Sequence, residues 1–255
     1  MRGGRRPAVP QISAIIITLN EEARIKEAIA SLACCDEVII VDSGSRDGTC
    51  RLARQIGARV LMREWDGYSK QKNFAASQAE HDWILSIDAD ERLSAELCAE
   101  ISDWKNQSPA VAAMSMPRRA FYLGRWIRHS GWYPDRKIRL YDRRYARWEG
   151  DFVHEAMKVD TPVGAFAGDL LHFPYRSWQD HVDRIDRYTR LAADASRKGG
   201  RRGNVLKLVF GPAWFLVKTV FFQAGILDGW RGLAIGYMGA RYIFLREQRS
   251  REKAG

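Results

Sequence analysis

From residue 12 to residue 88 the chain alternates short apolar runs with amphipathic stretches. ISAIIIT (12–18) is rich in β-branched residues and strand-length, and predicts a buried strand. Ile25, Ala28, Ile29 and Leu32 then recur at helical spacing, so a helix is expected over 23–32, and EVIIVD (37–42) returns to strand. The alternation continues with a helix over 50–56, a strand over 58–62, a helix over 69–79 and a strand over 83–88. Strands alternating with helices imply right-handed crossovers and an α/β class, with a mainly parallel sheet covered by helices on both faces. In such sheets ligands bind at the carboxyl ends of the strands. Three of those ends are polar: Thr18 to Glu22, Asp42 to Ser45 and Asp88 to Glu91. The topology predicts that they converge on one edge.

Beyond residue 110 the pattern turns irregular, with Trp126, Trp132, Trp148 and many arginines, as expected of a subdomain of short strands. A helical register resumes after Ser177 (Val182, Ile185, Tyr188, Leu191, Ala192) and is interrupted by KGGRRG at 198–203. Residues 204–246 are mostly apolar, with a kink or break expected at Gly211-Pro212. A membrane-spanning helix needs about 20 apolar residues, which this stretch nearly supplies. Lys207 and Lys218, eleven residues apart, leave a helix on the same side. That favours a helix lying in a membrane interface over a span, with packing on the α/β domain as the other alternative.

Charge sharpens this picture. The net charge of +10 resides entirely in residues 184–255, because residues 1–183 hold 26 basic and 26 acidic side chains. Basic charge beside apolar bulk suits an anionic membrane surface better than a nucleic-acid groove. The opening MRGGRRPAVPQ lacks the apolar stretch of a secretory signal. Cys34, Cys35, Cys50 and Cys98 follow no metal-ligand spacing, so reduced thiols in a cytosol are expected.

Asp88-Ala89-Asp90 presents alternate carboxylates where a strand runs out into a loop. Such oxygen ligands suit Mg²⁺ or Mn²⁺ bound to a diphosphate, although a helix N-cap in an acidic turn gives the same tripeptide. The tripeptide is accompanied by IIITLNEE (15–22), VDSGSRDGT (41–49) and SIDADE (86–91), in that order on successive strand ends. Together these motifs resemble the inverting family 2 glycosyltransferases of the GT-A (Rossmann-like) fold. GYSKQKNFA (67–75), GWYPDRKIRLY (131–141), VHE (153–155) and GILDG (225–229) extend the resemblance toward the β-glucosyltransferases of lipopolysaccharide-core synthesis.

The resemblance implies roles position by position. Thr18, Asn20 and Glu22 would line a nucleoside pocket, and Asp42 would bond the uracil or ribose, although the second acidic residue that many relatives carry is replaced here by Ser43. Lys72 would approach the base or phosphates. Asp88, with Ala89 beside it, would face the ribose and sugar, and Asp90 would bind the metal. Glu155 stands where similar enzymes carry the carboxylate that removes the acceptor proton. His172 is a candidate further metal ligand or a structural histidine. Gly131 and Trp132 would form a platform for a sugar ring. Arg139, with the other arginines of 118–147, would cradle an anionic acceptor or form a solvated face.

The expectation is therefore a disordered start (1–11), a catalytic domain over 12–176, a helical basic and apolar extension over 177–246, and a disordered tail (247–255). The catalytic domain divides into a nucleotide-sugar half (12–105) and an acceptor half (106–176). The expected activity is transfer of a hexose, glucose first, from a UDP-sugar to a lipid-linked anionic saccharide. It would take place on the cytoplasmic face of the inner membrane, with a divalent metal and without nucleic acid. The alternatives are a polyprenyl-phosphate glycosyltransferase of the same fold and a non-catalytic module binding anionic lipid or nucleic acid.

Overall fold

The computed structural model describes residues 9–107, 111–150, 155–198 and 203–251. The chain forms two compact units: residues 1–118 with 135–172, and residues 119–134 with 173–255.

In the first unit, β1 (Ile12–Thr18), β2 (Glu37–Asp42), β3 (Arg59–Met62) and β4 (Trp83–Asp88) are linked by α1 (Glu22–Ala30), α2 (Thr49–Gln55) and α3 (Tyr68–Ser77). These strands pair in parallel in the order β3-β2-β1-β4. All seven β1 residues are buried, because the central strand is covered on both faces. One face packs Ile16, Ile40 and Leu85 against Ile25, Ala28 and Ala53 of the α1 and α2 side. The other packs Ile15, Ile39 and Ile84 against Ala75 and Ala76 of α3.

Beyond β4 the sheet becomes antiparallel. The chain continues through β5 (Glu91–Leu93), α4 (Ala95–Lys105) and β6 (Ala113–Tyr122), whose last residues enter the second unit together with β7 (Arg125–Trp126). β8 (Asp135–Asp142) inserts between β4 and β6, antiparallel to both. β9 (Ala146–Glu149) and β10 (Ala156–Val159) form a separate hairpin, β11 (Val163–Ala165) joins β6, and β12 (Leu170–His172) pairs with β5 so that His172 faces Glu91. The sheet is thus mixed: parallel where it resembles a nucleotide-binding half and antiparallel beyond it.

The second unit is mainly helical, with α5 (Trp178–Lys198), α6 (Val205–Val217) and α7 (Trp230–Arg249). Asn204 caps α6 through a side-chain bond from the Lys207 N–H at 3.2 Å. Contrary to the break expected at Gly211-Pro212, α6 runs through Pro212 and continues as a π turn over Lys218–Phe222. One proline removes only one N–H from the ladder, and packing against α7 supports the helix through it. Val205–Phe222 is long and apolar enough to cross a membrane by length and composition, and it is largely unburied. α7 packs against α6 and α5. Its Arg249 donates to the Asp186 carbonyl (2.7 Å) and to Thr189 Oγ1 (2.5 Å) on α5.

An aromatic cluster fills the start of this unit. Tyr122 OH lies 2.8 Å from His181 Nδ1, and the imidazole stacks on Tyr175 at 3.9 Å between centroids. Burial pushes His181 down to about 4 from an ordinary 6.5, so the ring is neutral in the folded protein at neutral pH. Unfolding releases a ring that takes up a proton below 6.5, so this stabilising contribution is complete above 6.5 and is lost as pH falls toward 4. Thermal melts of His181→Gln and the parent chain should therefore differ most at pH 7, and the gap should narrow by pH 4.5. A constant gap would mean that the imidazole does not titrate on unfolding.

Candidate active site

The first two strand ends are stitched together by side chains. Asp42, buried at the end of β2, accepts from Thr18 Oγ1 (2.9 Å), the Gly44 and Ser45 N–H groups (3.0 and 2.7 Å) and Ser45 Oγ (2.5 Å). A carboxylate has about four acceptor sites, so all are filled within the loop. Burial works against its charge, but these donors more than offset it and hold Asp42 below the ordinary carboxylate range. Gly44 takes φ +98°, which lets the backbone curl over the carboxylate.

Asn20, itself at φ +57°, donates its N–H to Ser45 Oγ (2.7 Å) and accepts from the Arg46 N–H (2.9 Å). Glu22 donates its N–H to Asp47 (3.1 Å) and accepts from the Gly48 N–H (3.0 Å). A Cβ on Gly48 would lie 2.1 Å from the Glu22 carboxylate, so a larger residue there would displace that side chain. Thr18, Asn20, Glu22 and Asp42 are thus brought together, with Asp42 fixing the loop's shape.

At the end of β4 the side chains alternate. Ala89 is buried among the core residues, whereas the Asp88 and Asp90 carboxylates remain partly exposed. Glu91 is fully buried and closes the turn: one oxygen accepts the Asp88 N–H at 3.0 Å, and the other accepts from Arg139 (2.6 Å) and Arg118 (3.2 Å). Arg139 also donates to Asp88 at 2.7 Å, and Arg118 to Asp135 at 2.6 Å. Burial disfavours the Asp88 carboxylate, but the charges of Arg139 and Lys72 prevail and hold it well below the usual range. Arg139, only 4% exposed, is a partner of these two carboxylates.

Lys72 joins this network to Glu155. It lies on α3 and is 1% exposed, with Nζ 3.1 Å from Asp88 Oδ1, 2.9 Å from Glu155 Oε1 and 4.3 Å above the Trp148 ring. Its neighbours hold the helix in place: Gln71 donates to Ser43 Oγ (3.0 Å), and the Asn73 amide bonds both the carbonyl (2.8 Å) and the N–H (3.0 Å) of Trp148 on β9. The other oxygen of Glu155, Oε2, is buried and has no hydrogen-bond partner among the described residues. A carboxylate with one oxygen anchored on a cation and the other open is arranged to accept a proton. His154, read with Glu155 from the sequence, lies outside the described residues.

Asp90 and His172 form a second pairing, with Nε2 3.6 Å from Oδ2, set by the β5–β12 register. One carboxylate and one imidazole this close can share a divalent cation. Among the described residues no group of three or more such side chains gathers, so remaining ligands would be phosphate oxygens and water, the usual arrangement for Mg²⁺ with a diphosphate. The residues present fit such an ion.

Gly131 and Trp132 belong to the second unit. Gly131 takes φ +72°, and Trp132 packs edge-on to Tyr122 at 5.2 Å. Most of the arginine-rich stretch is internally paired: Arg143 with Asp82 and the carbonyls of Ala76 and Ala79, Arg144 with Asp142, and Arg147 with Glu149. Arg125 and Arg128 remain exposed. Sequence reasoning did not assign roles to Glu91, Asp135 and Asn73, and it read Arg118 with the arginines of an anion cradle or solvated face, whereas Arg118 pairs with Glu91 and Asp135. Glu91 and Asn73 sit inside quoted motifs, but partners such as Arg139 and Glu91 are 48 positions apart and carry no local signal.

The "Glycosyl transferase family 2" profile matches residues 13–159. The chain is 34% identical to a lipopolysaccharide core biosynthesis glycosyltransferase, LpsC, of Rhizobium meliloti, over 94% of this chain and 91% of that protein. It is 33% identical to an uncharacterized glycosyltransferase of Rickettsia felis, over 95% and 90% of the two chains. A crystal structure of glucosyl-3-phosphoglycerate synthase from Mycobacterium tuberculosis overlaps 43% of this chain and 44% of its own at 26% identity, with a TM-score of 0.37.

The buried network makes a direct prediction. Arg139→Gln leaves Glu91 with one cation and should destabilise the fold by about 3–5 kcal/mol in urea titrations, as for other broken buried pairs. Asp88 stabilises the parent above its unfolded-state titration, and this contribution drains away as pH falls from the ordinary carboxylate range to well below it. In Arg139→Gln this acid-linked loss should be smaller and should be complete at a higher pH. A variant with parental stability and parental acid sensitivity would contradict the network.

Proposed function

The chain belongs to glycosyl transferase family 2, and on that premise we propose that it moves a hexose, glucose first, from a UDP-sugar to a lipid-linked anionic saccharide, with inversion at the anomeric carbon. The observation that carries this reading is the open Oε2 of Glu155, held next to Asp88 by their shared Lys72.

In this reading Thr18, Asn20 and Glu22 border the nucleoside, and the loop that Asp42 shapes closes against the base or ribose. Asp88 is oriented by Lys72 and Arg139 toward the ribose and sugar. Asp90 and His172 would hold a divalent ion, which would supply positive charge to the leaving diphosphate. Glu155 takes the acceptor hydroxyl proton on Oε2, while Lys72 keeps Oε1 fixed and stabilises the carboxylate before transfer. Gly131 and Trp132 form the acceptor platform. The similarity to the Rhizobium meliloti protein supports a lipopolysaccharide-core acceptor.

The second unit supports action at the cytoplasmic face of the inner membrane. Its exposed side chains include Leu206, Phe210, Trp214, Phe221 and Phe222, in the same segment that carries the whole excess of positive charge. An apolar surface flanked by basic residues suits the anionic bilayer interface. Lys207 and Lys218 are both exposed, as expected of a helix lying in that interface.

Two substitutions test the chemistry. Glu155→Gln should lower kcat by about 10² to 10⁴ while leaving the donor KM nearly unchanged. A loss under about threefold would move the base elsewhere or favour a phosphate acceptor, which needs no deprotonation. Asp90→Ala should abolish metal-stimulated hydrolysis of UDP-glucose without lowering the melting temperature. Hydrolysis equal to the parent's, with Mn²⁺ or Mg²⁺ added, would remove Asp90 from the metal site.

A further inference from the structure

GILDG (225–229) contains a carboxylate that the proposed chemistry does not use. Asp228 lies in a short 3-10 turn between the π turn and α7, and it is buried although its chain neighbours Ile226 and Leu227 are exposed. It accepts from the N–H groups of Arg128 (3.1 Å) and His129 (3.0 Å) and from Ser130 Oγ (2.9 Å). The next amide, the Ser130 N–H, donates to the Gln223 carbonyl at 2.9 Å. Three consecutive amides before Gly131-Trp132 are thus held by the segment 223–228.

The loop needs such a clamp. Ser130 and Gly131 take φ +62° and +72°, and a left-handed conformation costs a non-glycine residue about 1–2 kcal/mol. The clamping segment is itself tightly specified. A Cβ on Gly225 would lie 2.6 Å from the Thr219 carbonyl, and one on Gly232 would lie 1.8 Å from the Gly225 carbonyl. Its outward face is Phe221, Phe222, Ile226, Leu227 and Trp230, all more than half exposed. An inward carboxylate whose bonds are made within the protein is what an apolar tip can carry into a bilayer.

Resting on the membrane and acceptor-platform readings above, we infer that residues 221–230 form a bilayer-inserted tip whose Asp228 is the positioning residue for the acceptor loop 128–132. The occupant of the apolar face is an anionic membrane, because exposed Lys207, Lys218, Arg125 and Arg128 belong to the same unit. The bilayer binds only the turn in which the five apolar side chains face outward. That same turn presents Asp228 and the Gln223 carbonyl inward. Membrane contact and loop order are therefore linked, and each strengthens the other.

Hydrogen exchange of the full chain reads the clamp at the amides of Arg128, His129 and Ser130. With phosphatidylglycerol vesicles these amides should exchange about tenfold more slowly than in solution, the effect of about 1.4 kcal/mol on local opening. Asp228→Asn should bind the vesicles more weakly than the parent, by up to the same tenfold, exchange about tenfold faster at these amides, and gain no protection from vesicles. Ser130→Ala, a milder change, should shift exchange in the same direction if Asp228→Asn folds poorly. Ile226→Glu with Leu227→Glu should keep parental exchange in solution and lose both binding and vesicle protection. If the parent binds vesicles but its loop amides do not change, the coupling is wrong while the membrane reading stands. If the parent stays off the vesicles at low salt, or sediments as a dimer through this face, the membrane reading falls and the inference with it.

Discussion

One buried ammonium group ties the site together. Lys72 Nζ sits between Asp88 and Glu155 with almost no access to water, where an unpaired charge of either sign is costly. From Asp88 the pairing continues through Arg139 to Glu91, and from Glu91 through Arg118 to Asp135. Each cation is shared by carboxylates from different elements, so α3, the β4–β5 turn, β8 and the residue before β10 are fixed relative to one another by electrostatics as well as by packing. The turn that carries the proposed metal ligand Asp90 takes its shape from this network, because Glu91 closes it from within the core. Under the proposed transfer to a hydroxyl, the base is Glu155: the network anchors its Oε1 on Lys72 and leaves its Oε2 without a hydrogen-bond partner among the described residues.

The second unit shows a different economy. Its helices leave large apolar side chains on the outside while polar groups turn inward, as Asp228 and His181 do. The proposed function has a bilayer cover this surface, with the charge of the same segment favouring an anionic one. On that proposal an acceptor carried on a lipid would reach the enzyme in two dimensions, and the loop proposed to receive it is held by the turn proposed to touch the membrane.

Much of this could be read along the chain. The runs at 12–18, 37–42 and 83–88 became β1, β2 and β4 with the expected bounds, because fully buried parallel strands are continuous β-branched runs. The helices shifted by a residue or two at their ends, where capping decides. Family membership was legible because three polar motifs fall in order on successive strand ends. The antiparallel half was not, since β8 enters between β4 and β6 through pairings distant in sequence. The burial of Lys72 was equally hidden, because its partner Glu155 lies 83 positions away and its helix pattern alone allows a solvated lysine. The arginines of 118–147 read as an open anion cradle or a solvated face, yet most of them pair with acidic groups or carbonyls of their own unit.

The central claim is that a single base, Glu155, drives direct displacement at the anomeric carbon. ¹H NMR of UDP-glucose hydrolysis by the full chain with Mg²⁺, read before the released sugar mutarotates, tests it most directly. Direct displacement on the α-linked donor predicts that β-glucose forms first. First appearance of α-glucose would contradict the account, since retention demands either a second displacement or front-face attack that one carboxylate on Lys72 does not provide.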